Sequence, residues 1–391
     1  MLEYKTALDL ILSTAQSLPA EKVELQKSLK RILAEDVFHD MDMPPFHKSA
    51  MDGFACRRED LHNELEIIET IYAGKLPEKK LQKNQCCKIM TGAVVPDGAD
   101  VVFKKEDARL TGENRVVCQN LKTGNNICYR GEDIKTGEKV LEKGILLSPR
   151  HLPTLAGAGI TRPVVYRLPE VTVFATGTEL VEPGEKPLPF QIRNSNSAQL
   201  LGQLSELNIQ AAYGGIIIDD EKVLTEKLAN ALNTSDVVML TGGVSVGDFD
   251  LIPDILSGLN LDILVTTTAI KPGKPMVFAR KDEKYCFGLS GNPVSSFVQF
   301  ELYAKPFLYA LMGFDFHPGI LKLPLGKEMK WRKQDRLNFI PVNITAQMEV
   351  VPVEFHGSAH INALSRAAHL MEVPKGVEKL EKGELVDVRP V

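Results

Sequence analysis

The segment TGGVSVGD, at Thr241–Asp248, combines a flexible backbone with groups that bind anions. It directly follows an apolar run, and Gly242, Gly243 and Gly247 surround the hydroxyl of Ser245. Glycines at the end of a strand let backbone N–H groups approach an anion closely, and a hydroxyl adds a further donor. The segment has neither the G-K-[ST] of a P-loop nor the G-x-G-x-x-G of a dinucleotide site. A tight turn would also explain the glycines, but the preceding strand and the acids that follow favour an anion-binding loop.

Two lysines lie three residues apart in the segment KPGKP. Lys271 and Lys274 are separated by Pro272 and Gly273, and proline lowers the entropy that the loop loses on ordering. Two cations fixed close together repel each other unless an anion lies between them. The segment therefore predicts a phosphate or oxyanion site, with a solvated basic turn as the alternative.

Two helix starts supply further hydrogen-bond donors. SGNPVSS offers Ser290, while its Asn292 and Pro293 suit the cap and the first turn of a helix, so capping alone explains part of this segment. SNS places Ser195 and Asn196 at the start of an earlier helix, where backbone N–H groups and hydroxyls can hold an anion. SGNPVSS should open onto the same edge of the sheet as TGGVSVGD.

Four carboxylates follow predicted strands of the same region. Glu179 lies in ATGTELVEPG, Asp219 and Asp220 end a strand, and Asp250 follows TGGVSVGD. Carboxylate oxygens are hard ligands that suit Mg²⁺, so these four residues are the candidate metal ligands. N-capping of the next helix is an equal alternative for the two aspartates at 219 and 220.

Two aspartates of the N-terminal half stand beside glycines outside any regular element. They are Asp52 in SAMDGFA and Asp133 in RGEDI. Each one alone predicts a turn rather than a site, and TGAVVPDGAD, with its three turn signals, also reads as structural.

The elements that must position these residues alternate between strands and helices from 169 to 317. The predicted strands are VTVFATG, AAYGGIIID, DVVMLTGG, LDILVTTTAI and YCFGLSG, and the predicted helices are SNSAQLLGQLSEL, DEKVLTEKLANAL and Val294–Leu311. This alternation predicts a mainly parallel sheet with both faces covered. Ligands bind such sheets beyond the carboxyl ends of the strands, where three of these strands run into glycine turns.

The rest of the chain divides around that region. Helical spacing of apolar residues predicts helices at Ala7–Ala15 and Val23–Leu33, and a further helix is predicted around His151–Ala158. Short β-type runs broken by Gly, Asn and Pro follow residue 45, and alternating runs such as FIPVNI follow residue 318. We predict four domains: an N-terminal linker and helical domain at 1–45 and 131–168, a β-rich insertion at 46–130, an α/β domain at 169–317 and a C-terminal β domain at 318–391.

Composition limits the class of protein. The chain has 391 residues, 44% hydrophobic and 25% charged, with a net charge of -5, which gives no overall attraction to nucleic acid or to an anionic membrane. No segment approaches the length of a membrane span, and the first residues lack the pattern of an export signal. The six cysteines form no C-x-x-C pair, so reduced structural thiols and a cytoplasmic location are expected.

Eight segments, taken together and in order, resemble the molybdopterin molybdenumtransferases, the MoeA family that includes the gephyrin E domain. They are SAMDGFA, TGAVVPDGADVV, RGEDI, ATGTEL, the Ser/Asn helix start, TGGVSVGDFD, KPGKP and SGNPVSS. The resemblance covers nearly the whole chain. It implies an α/β plus β fold: a multidomain, elongated subunit that forms a homodimer, with an α/β domain of the molybdopterin-binding type, a β-rich insertion and a C-terminal β domain.

The resemblance also implies a reaction, in which molybdopterin adenylate and molybdate, with Mg²⁺, give molybdenum cofactor and AMP. In the family the cleft lies between the α/β domain of one subunit and the N-terminal parts of the other. This gives Asp52 and Asp133 catalytic roles beside Glu179 and Asp250, and it adds further substrate-binding residues to those above. These are Thr176, Arg336 and Ser358. Our hypothesis is that a molybdate oxygen attacks a phosphorus of molybdopterin adenylate. The bond between the two phosphates breaks, AMP is released, and molybdate stays esterified to the molybdopterin phosphate before it passes to the dithiolene.

Three positions depart from the family pattern. Ser290 replaces a frequent proline, which should loosen that loop, while Thr267 and Pro341 stand where basic residues are common. The alternatives to an insertase are a molybdopterin adenylyltransferase-like enzyme, a scaffold protein, and an enzyme that prefers tungstate. A molybdopterin adenylyltransferase and apo-molybdoenzymes are candidate partners.

Overall fold

The computed structural model describes residues 1–244, 251–331, 334–355 and 357–391. These residues form two compact units. The larger unit comprises Met1–Ala34, Gly144–Ser148 and Val164–Val391, and the smaller unit comprises Glu35–Lys143 and Pro149–Pro163.

A six-stranded sheet is the centre of the larger unit. Its strands, labelled in chain order, are β1 (Val171–Thr176), β2 (Ala212–Ile217), β3 (Val237–Thr241), β4 (Asp262–Thr267), β5 (Pro275–Lys281) and β6 (Lys284–Leu289). The order across the sheet is β2-β1-β3-β6-β5-β4. Only β5 runs against the others, because it pairs antiparallel with both β4 and β6 while the remaining pairs are parallel. The prediction of a mainly parallel sheet is confirmed.

Helices cover both faces of this sheet. Successive side chains of a strand point to opposite faces, so apolar side chains on both faces need a covering layer. In β3, Val237 and Met239 belong to one hydrophobic cluster, whereas Val238 and Leu240 belong to another. The first cluster includes residues of helices Tyr4–Leu12, Asn196–Glu206, Pro293–Gln299 and Lys305–Leu311, and the second includes residues of helices Glu221–Thr234 and Leu251–Gly258.

The long helix predicted at Val294–Leu311 is interrupted by one π-helical turn. This turn spans Phe300–Ala304, between the two α-helical segments. Pro306 has no N–H to donate to the carbonyl of Leu302, which accounts for the break in α-helical bonding.

A second six-stranded sheet occupies the C-terminal part of the larger unit. Its strands, in spatial order, are Ile270–Lys271, Leu337–Ile344, His369–Val373, Leu385–Pro390 and Leu321–Pro324, with Val350–Pro352 paired to the second of them. The first strand pairs parallel with Leu337 and Asn338. This pairing joins the KPGKP segment to the C-terminal sheet. In the described part of the larger unit, the strand pairs outside these two sheets are Ala20–Lys22 with Val164–Tyr166, Leu180–Val181 with Ile192–Arg193, and Met329–Lys330 with Lys379–Leu380.

The smaller unit is built mainly of strands, as its sequence predicts. Its six-stranded sheet has the order Val101–Lys104, Gly53–Cys56, Gln85–Ile89, Leu65–Ile71, Arg115–Cys118 and Ala108–Gly112. Two strand pairs and one helix accompany it: Lys48–Ser49 with Ile127–Cys128, Val37–Phe38 with Lys139–Leu141, and helix Leu152–Gly157. The six thiols of the chain are free, and all but Cys128 are buried.

The helix predicted at Val23–Leu33 is wrong. A 3₁₀ turn spans Leu25–Ser28, and the chain then runs extended, with bridges from Ile32 to Leu146 and from Leu33 to Val165. Ile32 and Leu33 are both almost fully buried, because an extended chain turns neighbouring side chains to opposite sides and each side has a partner. Among the described residues, no helix has the length and apolar character needed to cross a membrane.

Candidate functional site

A cavity of about 850 Å³ opens at the carboxyl ends of β1, β3 and β6. Thr176, Thr241 and Ser290 contribute to its walls from the ends of these three strands. Ala359 and Ile361 add a wall from the C-terminal part of the larger unit. The cavity therefore lies at the sheet edge where the parallel topology predicts a ligand site.

The structure brings together ten of the residues predicted from the sequence. The cavity is lined by Thr176, Glu179, Ser195, Asn196, Asp219, Gly242, Gly243, Ser290, Asn292 and Pro293. Other predicted residues of the larger unit do not line it: Asp220, Lys271, Lys274, Arg336 and Ser358. Ser245, Gly247 and Asp250 lie outside the described residues, and Asp52 and Asp133 belong to the smaller unit.

The floor of the cavity depends on a close approach between the ends of β1 and β3. Gly242 has a φ of 101°, and a Cβ atom at this position would lie 2.3 Å from the carbonyl oxygen of Thr176. Only glycine fits here, because a side chain would meet backbone atoms in a conformation that L-residues rarely adopt.

Asn196 joins this floor to the loop that follows β6. Its Nδ2 donates to Thr241 Oγ1 at 2.8 Å and to the Gly291 carbonyl oxygen at 2.8 Å. Thr241 Oγ1 in turn donates to the Ser290 carbonyl oxygen at 3.2 Å. Both amide protons of Asn196 are thus used within the protein, so this side chain fixes the relative positions of two loops.

Ser195 and Asn292, at the N-cap positions of the two helices, do not use their side chains for capping. Asn194 Oδ1 accepts from the backbone N–H of Ser197 at 3.2 Å, whereas the exposed hydroxyl of Ser195 makes no capping bond. Asn292 occupies the N-cap position of the helix that begins at Pro293 and is also exposed without a capping bond. The side chains of Ser195 and Asn292 therefore face the cavity as available donors.

Among the described residues, the carboxylates of Glu179 and Asp219 line the cavity, together with one cation, Arg193, that was not predicted from the sequence. Asp219 Oδ2 accepts from Thr178 N at 3.1 Å and from Thr178 Oγ1 at 3.3 Å, which leaves its other oxygen available. Glu179 is exposed, and both Glu179 and Arg193 line the same cavity. Arg193 lies two residues before the predicted SNS helix start, and a basic residue this close to an anion-binding helix start is the signal in the sequence that could have identified it.

The carboxylate of Asp220 has a structural role. It caps helix Glu221–Thr234 by accepting from Val223 N at 2.9 Å, which is the capping alternative considered from the sequence. Its role as a metal ligand remains a prediction. Within the described part of the chain, no three His, Cys, Asp or Glu side chains cluster as a metal site.

The two lysines of KPGKP project from a loop whose backbone is held firmly. Lys271 and Lys274 are exposed. Thr268 donates from its backbone N to the Lys274 carbonyl at 2.9 Å and from Oγ1 to the Gly273 carbonyl at 3.1 Å. Arg336 Nη1 donates to the carbonyl of Ile270 at 3.0 Å, so this arginine supports the loop from the C-terminal sheet.

In the smaller unit, Asp52 joins two motifs that lie far apart in sequence. Its Oδ1 accepts from the backbone N of Thr91 at 2.8 Å and from Thr91 Oγ1 at 2.7 Å. The Thr91 N–H, followed by its hydroxyl and by the Lys105 ammonium group, lowers the pKa of Asp52 below its ordinary value. Asp133 is exposed in a turn where its backbone N donates to the Met43 carbonyl at 3.0 Å.

Comparison with known proteins places the whole chain among related sequences. Three family models match it: "MoeA N-terminal region (domain I and II)" over residues 2–159, "Probable molybdopterin binding domain" over 172–310, and "MoeA C-terminal region (domain IV)" over 322–391. Molybdopterin molybdenumtransferases of Staphylococcus epidermidis and Staphylococcus aureus are 36% and 34% identical to it, across 99% and 98% of this chain and 95% and 94% of theirs. The crystal structure of the molybdopterin biosynthesis moeA protein from Pyrococcus horikoshii OT3 matches with a TM-score of 0.87 and 30% identity over 100% of both chains.

Proposed function

This chain belongs to the MoeA family of molybdopterin molybdenumtransferases, and on that premise we propose that it converts molybdopterin adenylate and molybdate to molybdenum cofactor and AMP. The observation that carries the proposal is the cavity at the carboxyl ends of β1, β3 and β6, where the family's motif residues converge. Its volume of about 850 Å³ is within the range of sites that enclose a whole small molecule.

The residues of the cavity suit a substrate that carries a diphosphate. Ser195 and Asn292 offer uncommitted donors, and Arg193 offers a guanidinium group. Helix Asn196–Glu206 begins at the wall of the cavity, and the positive end of its dipole favours negative charge there. These groups bind and orient the adenylate.

We assign the oxyanion to the exposed lysines of KPGKP. Lys271 and Lys274 bring two positive charges to a loop whose Pro275 lines the cavity. Arg336 and Ser358 take part by holding backbone in place. The Arg336 guanidinium group donates to the Ile270 carbonyl, and the Ser358 carbonyl accepts from Val294 N at 3.1 Å. Ser245 and Gly247, which lie outside the described residues, complete the predicted anion loop.

Mg²⁺ fits the carboxylates on the wall of the cavity. Glu179 and the free oxygen of Asp219 are hard donors, and Mg²⁺ is commonly bound by one or two carboxylates together with substrate phosphates. Glu179 and Asp219 would hold the ion, with Asp250 as the further predicted ligand. When bound, Mg²⁺ would neutralise phosphate charge and polarise the phosphoryl oxygen.

The reaction is tested by incubating the protein with molybdopterin adenylate, Mg²⁺ and molybdate, and measuring AMP. We expect AMP release that depends on molybdate, and tungstate in place of molybdate measures the preference between the two oxyanions. Glu179→Gln should slow AMP release strongly, whereas Glu185→Gln, on the same segment but outside the cavity lining, should not. Absence of anion-dependent AMP release from the wild-type protein would refute the proposal.

The resemblance further supports a homodimer in which Asp52 and Asp133 act in the cleft of the second subunit. We propose a complementation experiment to test this. Asp52→Ala and Glu179→Ala, each inactive alone, should regain up to about a quarter of wild-type activity when mixed and allowed to exchange subunits, because one of the two sites in each mixed dimer is then intact. No recovery despite proven exchange would place all of these residues in one subunit's site.

The free, mostly buried thiols support a reducing compartment, so we propose that the protein works in the cytoplasm. There its substrate would be supplied by a molybdopterin adenylyltransferase and its product consumed by apo-molybdoenzymes. Pull-down of either partner with the purified chain tests these contacts.

A further inference from the structure

Gln299 is a fully buried polar side chain that no motif contains. It ends helix Pro293–Gln299, and none of its surface is exposed. Its Oε1 accepts from Ser290 N at 2.8 Å, and its Nε2 donates to the carbonyl oxygens of Gly273 at 2.9 Å and Pro275 at 2.6 Å. Both amide protons and the amide oxygen are therefore paired.

These three bonds join the two loops that supply the predicted anion contacts. Ser290 opens SGNPVSS, and Gly273 and Pro275 flank Lys274 in KPGKP. Ser290 and Pro275 both line the cavity. Gly273 packs closely against Gln299, because a Cβ added to Gly273 would lie 3.0 Å from Gln299 Cγ, and the φ of 112° also favours glycine there.

The bond to Ser290 changes the expectation drawn from the sequence. The family often has proline at this position, and proline has no N–H, so replacement by serine was expected to loosen the loop. Serine brings a backbone N–H, and at a residue only 5% exposed an unpaired N–H is costly. Gln299 accepts from that N–H, so a hydrogen bond fixes the loop at a position where proline is frequent in the family.

We propose that Gln299 is a positioning residue that sets the distance between the cationic KPGKP loop and the SGNPVSS loop, and so the affinity for the oxyanion. The inference rests on the proposed function. Gln299 does not touch the cavity itself, so its removal should act on binding more than on the chemical step.

The test compares three substitutions in the full-length protein. Gln299→Met keeps the size of the side chain and removes all three bonds. Gln299→Glu keeps an acceptor for Ser290 but loses both donors toward Gly273 and Pro275. Gln203→Met is the matched control, because Gln203 is also buried and hydrogen-bonded, to Glu301 Oε1 at 2.7 Å, but has no bond to either loop.

AMP release is measured against molybdate concentration, and binding of molybdate alone is measured by calorimetry. We expect both Gln299 variants to raise the KM and the Kd for molybdate by about tenfold or more, with kcat changed less than about threefold. Protonation of the introduced carboxylate restores a donor, so the Gln299→Glu variant should recover part of its affinity in mild acid. Gln203→Met should lower Tm about as much as the Gln299 variants do, while its KM and Kd for molybdate stay within about twofold of the wild-type values.

The two proposals fail separately. If the wild-type protein binds molybdate but releases no AMP, the proposed function fails, and the Kd comparison still decides the role of Gln299. Unchanged KM and Kd in a folded Gln299 variant would overturn the positioning role. So would failure of both Gln299 variants to fold while Gln203→Met folds, since Gln299 would then be a structural residue.

Discussion

Adding the same methyl group to two glycines of the larger unit should have opposite effects. Gly202 lies within helix Asn196–Glu206, and a Cβ atom there would meet nothing within 4 Å. Gly202→Ala should therefore raise the free energy of unfolding by about 0.5 to 1 kcal/mol, because alanine loses less backbone entropy in a helix. Gly242 stands at the end of β3, where the methyl group has no room.

The magnitude for Gly242→Ala has two parts. The new Cβ would lie 2.3 Å from the Thr176 carbonyl oxygen, about 1 Å closer than ordinary contact, and overpacking of this kind costs about 1 to 3 kcal/mol. The φ of 101° adds about 1 to 3 kcal/mol, because an L-residue is strained there. A loss of about 4 kcal/mol should lower Tm by on the order of 10 °C.

Calorimetry of the purified variants at one pH and ionic strength measures the stability, and AMP release measures the site. Gly242→Ala should also lose most activity, since the ends of β1 and β3 form the floor of the cavity, while Gly202→Ala should keep it. A Gly242→Ala protein as stable as the wild type would refute the close approach described for β1 and β3. A Gly202→Ala protein less stable than the wild type would refute the expectation that the added methyl group enters unoccupied space.

Three other contacts give predictions of their own. Burial raises the pKa of Asp236, but hydrogen bonds from Arg167 and from Glu170 N outweigh it and hold the pKa below its ordinary value. A carboxylate whose pKa is lowered in the folded state contributes stability that is present at neutral pH and lost in acid. Asp236→Asn should therefore lower the free energy of unfolding by about 2 kcal/mol at pH 7. Thermal unfolding should show the stability difference between wild type and variant shrinking below about pH 4. Asp220→Ala should lower the free energy of unfolding in denaturant by about 1 kcal/mol because the helix cap is lost, whereas Asp220→Ser should keep most of the wild-type stability. A raised Mg²⁺ requirement for activity in both variants would instead support a role of Asp220 in metal binding. Burial raises the pKa of the five buried thiols. A thiol reagent should therefore label Cys128 quickly and the other cysteines only when the protein unfolds. Fast labelling of a second cysteine in the folded protein would contradict this burial.

The parallel sheet and its ligand edge could be predicted because their signals are local. An apolar run that ends in glycine marks each of β1, β3 and β6, and chain topology then places those ends side by side. The family, the fold class and the β-rich character of the flanking regions followed from motifs in a fixed order. The domain boundaries and the roles of the site residues stay predictions, because a match to relatives over nearly the whole chain tests neither of them.

The errors arose where distant partners override the local pattern. Val23–Leu33 has helical spacing, but Ile32 and Leu33 form bridges to Leu146 and Val165, which lie far away in the sequence. The strand β5 was missed because the prolines of KPGKP suggested a loop, and its partners β4 and β6 pair with it antiparallel. Tertiary pairing of this kind leaves no periodic signal in the segment itself.

The sequence left open whether the residues of SGNPVSS cap their helix or bind a ligand, and at both helix starts the structure shows that other groups accept from the first-turn N–H groups. Asn194, one residue outside SNS, accepts from Ser197 N. The carbonyl of Ser358, from the C-terminal part, accepts from Val294 N in the first turn after Asn292. A capping acceptor supplied from elsewhere releases the motif side chain, so Ser195 and Asn292 keep their hydrogen-bonding capacity for the cavity. The motifs hold residues that line the cavity, whereas Asn194 and Gln299, which hold the adjoining backbone in place, can be identified only from contacts across the fold.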